Sequence, residues 1–227
     1  MNTIMKVTRI GLMMVLFSSV RVNALNLPFT EDFDLNASNW GNAAGAFGLT
    51  WNAAGGPDNG AYVSQSFGFM NAPEDSVVLF RGQDELGSSG GAFIGNWITE
   101  GVSNFTVQVR HNAPLPLSFF SRFSLPGNFP GATAVNFVPI QPGVWTEINV
   151  SIFDGSPVPF VTYEGSDFNT IFSAVGHVQV GISVPAALAG QDVSYTFDLD
   201  KPSIVPEPAT IGLLGAGLVG LLKRRRA

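Results

Sequence analysis

The segment Val193-Ser194-Tyr195-Thr196-Phe197-Asp198-Leu199-Asp200 alternates strictly between apolar and polar side chains. Successive side chains of an extended strand point to opposite faces, so this alternation predicts a β-strand with one buried face. The same period of two recurs at 105–110, 117–124, 146–152 and 177–183. Turn clusters rich in glycine separate such segments, as at 55–60, 87–91 and 126–128, and no helical pattern stands out between them. The chain is therefore predicted to be all-β.

Several short, half-buried strands without a cysteine framework favour a single antiparallel β-sandwich over residues 25–204. A jelly-roll-like arrangement is preferred to an immunoglobulin-like one. The opening segment 27–34 and the closing segment 195–200 resemble the first and last strands of exported carbohydrate-binding jelly rolls. That resemblance implies that the two terminal strands pair.

The first 24 residues have the three parts of a secretory signal peptide. Lys6 and Arg9 form a positive region, residues 10–20 form an apolar region, and Val22-Asn23-Ala24 forms a cleavage site. We expect an N-terminal signal helix and a mature chain that begins at Leu25.

Residues 205–227 also have three parts. Pro206-Glu207-Pro208 precedes an apolar run at 209–222, and the cations Lys223, Arg224, Arg225 and Arg226 follow. At ~1.5 Å per residue, the 14 apolar residues form a short hydrophobic helix of ~21 Å, less than the ~30 Å of a bilayer core. The four cations are expected to stop translocation and stay cytoplasmic, which places the domain outside. An ordinary short C-terminal anchor is the alternative to a removable signal.

This tail resembles the PEP-CTERM sorting signal of exported proteins in Gram-negative, often biofilm-forming bacteria. The resemblance implies processing by an exosortase near Pro206-Glu207-Pro208. It also implies use of the export machinery, transient residence in the inner membrane and delivery to the cell surface or extracellular matrix.

Charge and cysteine content exclude several classes of function. Between Leu25 and Val205 there are 4 basic and 16 acidic residues, so this region carries −12 against −6 for the whole chain. Such a domain is unsuited to nucleic acid or anionic lipid, which need a basic face. The absence of cysteine excludes disulfides, zinc–thiolate sites and thiol catalysis.

A structural calcium site is one candidate cofactor site. If the first and last strands pair, Asp32 and Asp34 approach Asp198 and Asp200, and calcium is bound by carboxylate oxygens of this kind. The alternative is that these carboxylates face solvent and protect an edge strand from aggregation.

Aromatic side chains offer a candidate glycan-stacking surface. Trp145 lies on the polar side of its predicted strand beside Glu147 and Asn149, and Trp97 and Trp51 lie near glycine-rich loops. The alternative is that these tryptophans pack in the interior.

Catalytic signatures are absent from the sequence, which contains neither a GxSxG nor an HExxH motif. His111 and His177 are expected to be surface residues. The chain is therefore predicted to be an exported, non-enzymatic envelope or matrix protein with a structural or adhesive role. A module that binds glycan or exopolysaccharide is the alternative, and a polysaccharide-acting enzyme is the third.

Overall fold

The structure is a computed structural model that describes residues 25–72, 74–155 and 159–206 of the 227-residue chain. Within these ranges the chain forms two antiparallel sheets. The first contains β1 (Phe29–Thr30), β2 (Thr50–Asn52), β3 (Tyr62–Gly68), β5 (Val102–His111), β8 (Thr146–Ser151) and β11 (Ser194–Pro206). Its order is β2-β3-β11-β5-β8, and β1 also pairs with β11.

The second sheet contains β4 (Ser76–Gln83), β6 (Phe119–Ser124), β7 (Gly131–Val135), β9 (Phe160–Thr162) and β10 (His177–Ser183). Its order is β4-β10-β6-β7-β9. Two short 3-10 helices, Asp84–Leu86 and Ser88–Gly91, lie between β4 and β5. The predicted all-β, jelly-roll-like sandwich is thereby confirmed.

The core lies between the sheets and is built from the apolar half of each alternating segment. In β11, Phe197 and Leu199 are fully buried, and in β10 the same holds for Val178, Val180 and Ile182. Phenylalanine fills much of the remaining volume, with rings such as Phe105 and Phe123 meeting edge to face at 5.2 Å. Burial of one face explains why period two predicted these strands.

The first and last strands pair, as the resemblance implied, but β1 meets β11 at residues 203–204, beyond the predicted closing segment 195–200. Phe29 is opposite Ile204 and Thr30 is opposite Ser203. The remaining length of β11 pairs with β3 on the same side, and with β5 on the other. Between Asp200 and Ser203 the β11–β5 register shifts, and Lys201 takes a left-handed backbone conformation with φ of 50°.

Sequence periodicity did not anticipate the single described α-helix, α1 (Phe168–Phe172). The Asp167 carboxylate caps it by accepting from the Thr170 backbone N–H at 2.9 Å, and Phe168, Ile171 and Phe172 are buried. The predicted signal helix and C-terminal hydrophobic helix lie outside the described residues. Within the described ranges, no helix is long and apolar enough to cross a membrane.

Candidate functional site

A groove of about 500 Å³ crosses the outer face of the second sheet. The strand register puts one row of side chains along it, because Arg81 of β4 is opposite Gln179 of β10, and Gln179 is opposite Arg122 of β6. The row continues through Thr133 of β7 to Thr162 of β9. A single row of polar side chains therefore spans all five strands.

Arg122 is held at the middle of the groove by a dense network. Its Nε and Nη2 donate to the two carboxylate oxygens of Glu164 at 2.6 and 2.7 Å, a bidentate ion pair. Its Nη1 donates to Gln179 Oε1 at 2.8 Å and to Asn128 Oδ1 at 3.0 Å. Gly131 makes room for this guanidinium, since a Cβ there would lie 2.8 Å from it.

Asn128 joins the network from the loop before β7. Its Oδ1 accepts from Gln179 Nε2 at 2.9 Å, and its carbonyl accepts from Arg122 Nη2 at 2.8 Å. The hydrogen bond from Arg122 also holds the pKa of the Glu164 carboxyl below its usual value. These polar groups are therefore fixed in position before any ligand arrives.

Two phenylalanines supply apolar surface to the groove. Phe120 is buried on the outer face because it lies over Gly181, where any side chain would collide with its ring. Phe129 stands at the groove wall with 67% of its surface exposed. An exposed ring beside ordered hydrogen-bonding groups suits a ligand with both an apolar face and hydroxyls.

Arg81 lines the groove from β4. Its Nη2 donates to the carbonyl of Ala43 at 3.3 Å, whereas its Nε is buried without an acceptor among the described residues. Burial, and then the positive charge of Arg122, lower the pKa of this guanidinium.

The three predicted stacking tryptophans lie in three different environments. The prediction for Trp97 is wrong: it is fully buried, donates to the Phe93 carbonyl at 3.0 Å and packs against Phe123 at 5.2 Å. Trp51 is 38% exposed on β2, at one edge of the first sheet, and donates to the Phe33 carbonyl at 2.6 Å.

Trp145 is half-buried beside β8, in contact with two outward side chains of the first sheet. The Arg110 guanidinium lies 4.6 Å from the centre of its ring, and Tyr62 meets it edge-on at 5.4 Å. Its indole N–H donates to the Gly55 carbonyl at 3.0 Å. Much of the surface that a sugar would need is thus already engaged, and its role in stacking stays a prediction.

The predicted calcium ligands separate into two places. Asp198 forms an ion pair with Arg110 at 2.7 Å on the outer face of the first sheet, although burial still raises the pKa of Asp198. Asp32, Asp34 and Asp200 line a small cavity together with Asp58, which sequence reasoning missed. Asp58 comes from the 55–60 turn, so neither strand alternation nor strand pairing pointed to it.

The Lys201 ammonium is the cation that these carboxylates hold. It lies 2.8 Å from Asp58 and 3.2 Å from Asp32, which raises the pKa of Lys201. Across the described ranges, no three Asp, Glu, His or Cys side chains are arranged to hold a metal ion. The residues present therefore do not fit the predicted calcium site.

Both histidines were expected at the surface, and that expectation is wrong. His111 is 1% exposed and His177 is 4% exposed. Their Nε2 atoms contact the carbonyls of Ile140 at 3.0 Å and Pro126 at 2.9 Å. Burial lowers the pKa of His111. His111 is the last residue of β5 and His177 is the first residue of β10, and each ring has a carbonyl partner that makes its burial tolerable.

Sequence comparison identifies the C-terminal segment. Residues 205–226 match the family described as the PEP-CTERM protein-sorting motif. The tail is a PEP-CTERM sorting motif. This PEP-CTERM motif marks an exported protein that is sorted to the cell surface. Its first proline, Pro206, still pairs with Val102 at the end of β11, and the predicted motif residues from Glu207 onward lie outside the described residues.

Comparison with solved structures finds similar folds at low sequence identity. An exo-β-agarase matches with a TM-score of 0.52 and 8% identity over 80% of this chain and 26% of the agarase chain. A family 11 carbohydrate-binding module from Clostridium thermocellum matches with a TM-score of 0.46 and 10% identity over 79% and 95% of the two chains.

The CBM22-1-GH10 modules of Clostridium thermocellum xylanase 10B match with a TM-score of 0.48 and 16% identity. That match covers 82% of this chain and 29% of the xylanase chain. This chain thus spans less than a third of the length of the xylanase and agarase chains. No curated protein matches the sequence.

Proposed function

We propose that this protein is an exported surface component whose β-sandwich binds an extracellular polysaccharide in the groove of the second sheet. The observation that carries the proposal is the row from Arg81 to Thr162, which places ordered donors and acceptors along one open channel. A sugar chain is long, and it has hydroxyls at its edges and apolar C–H faces. The row and the exposed Phe129 ring supply partners for both kinds of surface.

The second-sheet groove suits this role better than the Trp145 region of the first sheet. Arg110 lies over the Trp145 ring and Gly55 accepts its N–H, so a sugar would have to displace existing contacts. In the groove, 67% of the Phe129 surface is exposed, whereas the Trp145 ring is half-buried.

The proposed location outside the cell is one where the proposed polysaccharide ligand occurs. A signal peptide at 1–24 and exosortase processing of the tail would deliver the domain to the outside, where exopolysaccharide of a biofilm matrix is available. Binding of such a polymer would give the adhesive role expected from the sequence. Transient residence in the inner membrane would precede release or attachment.

Binding without hydrolysis is the proposed activity. Glycoside hydrolysis usually requires two carboxyl groups on either side of the scissile bond. Among the described residues that line the groove, Glu164 is the one carboxylate, and Arg122 holds both of its oxygens.

Affinity electrophoresis of the mature domain, in gels that contain single polysaccharides, tests the proposal. We expect Phe129→Ala to weaken retention about 2- to 10-fold, the range that an aromatic contact contributes. Phe137→Ala is the matched control, because Phe137 is 74% exposed and lies outside the groove. Retention lost in Trp145→Ala but not in Phe129→Ala would transfer the site to the first sheet. A purely structural role predicts no retention at all.

A further inference from the structure

Among the described residues, almost every basic side chain forms an ion pair. Four basic side chains face sixteen carboxylates in these ranges. Three of the four form ion pairs: Arg110 with Asp198, Arg122 with Glu164, and Lys201 with Asp32 and Asp58. Arg81 forms no ion pair with a described residue, and it is the one that lies at the β4 end of the groove row.

The guanidinium of Arg81 has unused hydrogen-bonding capacity. An arginine has five N–H donors, and the described partner of this one is the Ala43 carbonyl. Its Nε is buried and lacks an acceptor among the described residues. Its Nη1 also has no hydrogen-bond partner among the described residues, and unlike Nε it is not closed off from solvent, so it is the donor that a ligand atom can reach.

Arg81 and Arg122 lie close enough in the groove for their charges to interact. Arg81 and Arg122 lie on strands separated only by β10, so at ~4.8 Å per strand their Cα atoms are ~10 Å apart. Burial is the main cause that lowers the pKa of Arg81, and repulsion from the Arg122 cation adds to it. An anion bound near Arg81 would offset this repulsion and satisfy the free donors.

We infer that the groove takes a polysaccharide bearing acidic groups, with Arg81 binding one carboxylate or sulfate of the chain. This inference rests on the proposed function and adds the chemical class of the ligand. Arginine suits such a group because its planar fork can donate two parallel hydrogen bonds to carboxylate or sulfate oxygens.

The net charge of −12 between Leu25 and Val205 does not prevent an acidic group of the polymer from contacting Arg81 at physiological salt. At 0.15 M ionic strength, exposed charges separated by more than ~8 Å are largely screened. The contact between Arg81 and an acidic group is within hydrogen-bond distance and partly buried, so screening affects it less. Binding should therefore be measured at this salt concentration rather than in dilute buffer, where repulsion between protein and polymer is strongest.

Paired polymers that differ only in charge provide the test. Polygalacturonate is compared with its methyl ester, and dextran sulfate with dextran, so the first pair reports on carboxylate and the second on sulfate. We expect one charged polymer to bind wild type about 10- to 100-fold more tightly than its neutral partner, the range for a hydrogen bond to a charged group. Arg81→Gln should remove this preference, and Arg81→Lys should retain part of it.

Gln141→Glu is the matched control, since it changes the net charge by the same amount at an exposed position outside the groove. Thermal melting of each variant checks that it is folded, and the comparison of polymers with wild type does not depend on any variant. Equal binding of charged and neutral polymers would overturn the inference and leave the proposed function standing. An acidic preference that Arg81→Gln leaves intact would also overturn the inference. If none of the four polymers binds, both the inference and the proposed function are contradicted.

Discussion

Asp200 is the most deeply buried carboxyl group in the described ranges. Its side chain lies 1% exposed near Gly56, and its Oδ1 accepts the backbone N–H of Lys201 at 2.7 Å. Burial raises its pKa to about 7, with the nearby charges of Asp58 and Asp32 contributing in the same direction. The group is therefore protonated in the folded state at pH values where it is already ionised in the unfolded chain.

A stability change with pH follows from this shift. Because the folded pKa is above the unfolded value of about 4, stability present below pH 4 is lost as the pH rises through about 7. Asp200→Asn keeps an oxygen acceptor and removes the titration. We expect the variant to gain on the order of 2 to 3 kcal/mol in unfolding free energy relative to wild type between pH 5 and pH 8.

Urea unfolding of both proteins across that pH range measures the effect at constant ionic strength. Other titrating groups, Asp198 included, are common to both proteins, so the difference between the two curves isolates Asp200. Parallel curves would show that the pKa of Asp200 is not raised in the folded state.

Strand β10 is the element on which the groove depends. It lies between β4 and β6, and it carries Gln179 and Gly181 on the outer face. Gly181 is at a register shift with β4, and a Cβ there would meet the Val77 carbonyl and the Phe120 ring. The glycine thus leaves room for the Phe120 ring while the strand stays paired on both sides.

Replacing this glycine should destabilise the sandwich. We expect Gly181→Ala to lower the unfolding free energy by about 1 to 3 kcal/mol, because backbone and ring must both move. Gly127→Ala is the matched control, since a Cβ at Gly127 meets nothing within 4 Å and should change stability by less than about 1 kcal/mol. Similar melting temperatures for the two variants would contradict this account.

At the scale of the molecule, both ends of the described range are tied to strand β11 or to the core. β1, close to the expected start at Leu25, pairs with the C-terminal part of β11, and β11 continues to Pro206. Leu25 belongs to the core, and Pro206 still pairs with Val102. Cuts inside residues 25–206 would therefore remove packed or paired residues.

Intact-mass spectrometry of the exported protein reports both ends at once. We expect a mature chain that begins at Leu25 and ends at or shortly after Pro206. A chain that retains the apolar residues 209–222 would instead indicate a lasting C-terminal anchor. A mass that includes residues 1–24 would contradict signal-peptide cleavage.

Much of the fold was predictable because its signal is local. Strict alternation in segments such as 105–110 and 193–200 reports burial of one face, which depends only on neighbouring residues. Strand β4 was missed, since consecutive residues Leu79 and Phe80 are both buried at its register shift, which breaks period two. α1 was missed because five residues are too few to show a helical period.

By itself, the sequence determined the all-β class, the acidic charge and the PEP-CTERM motif, since alternation, composition and a contiguous motif carry them. Only the tertiary structure decided the candidate site. Arg122 and Gln179 are 57 positions apart and meet because β6 and β10 pair in one particular register. The same packing buried Trp97, covered Trp145 with Arg110 and put Lys201 next to Asp32, which was predicted to hold calcium. Alternation specifies which face is buried, whereas register and long-range packing specify which side chains meet.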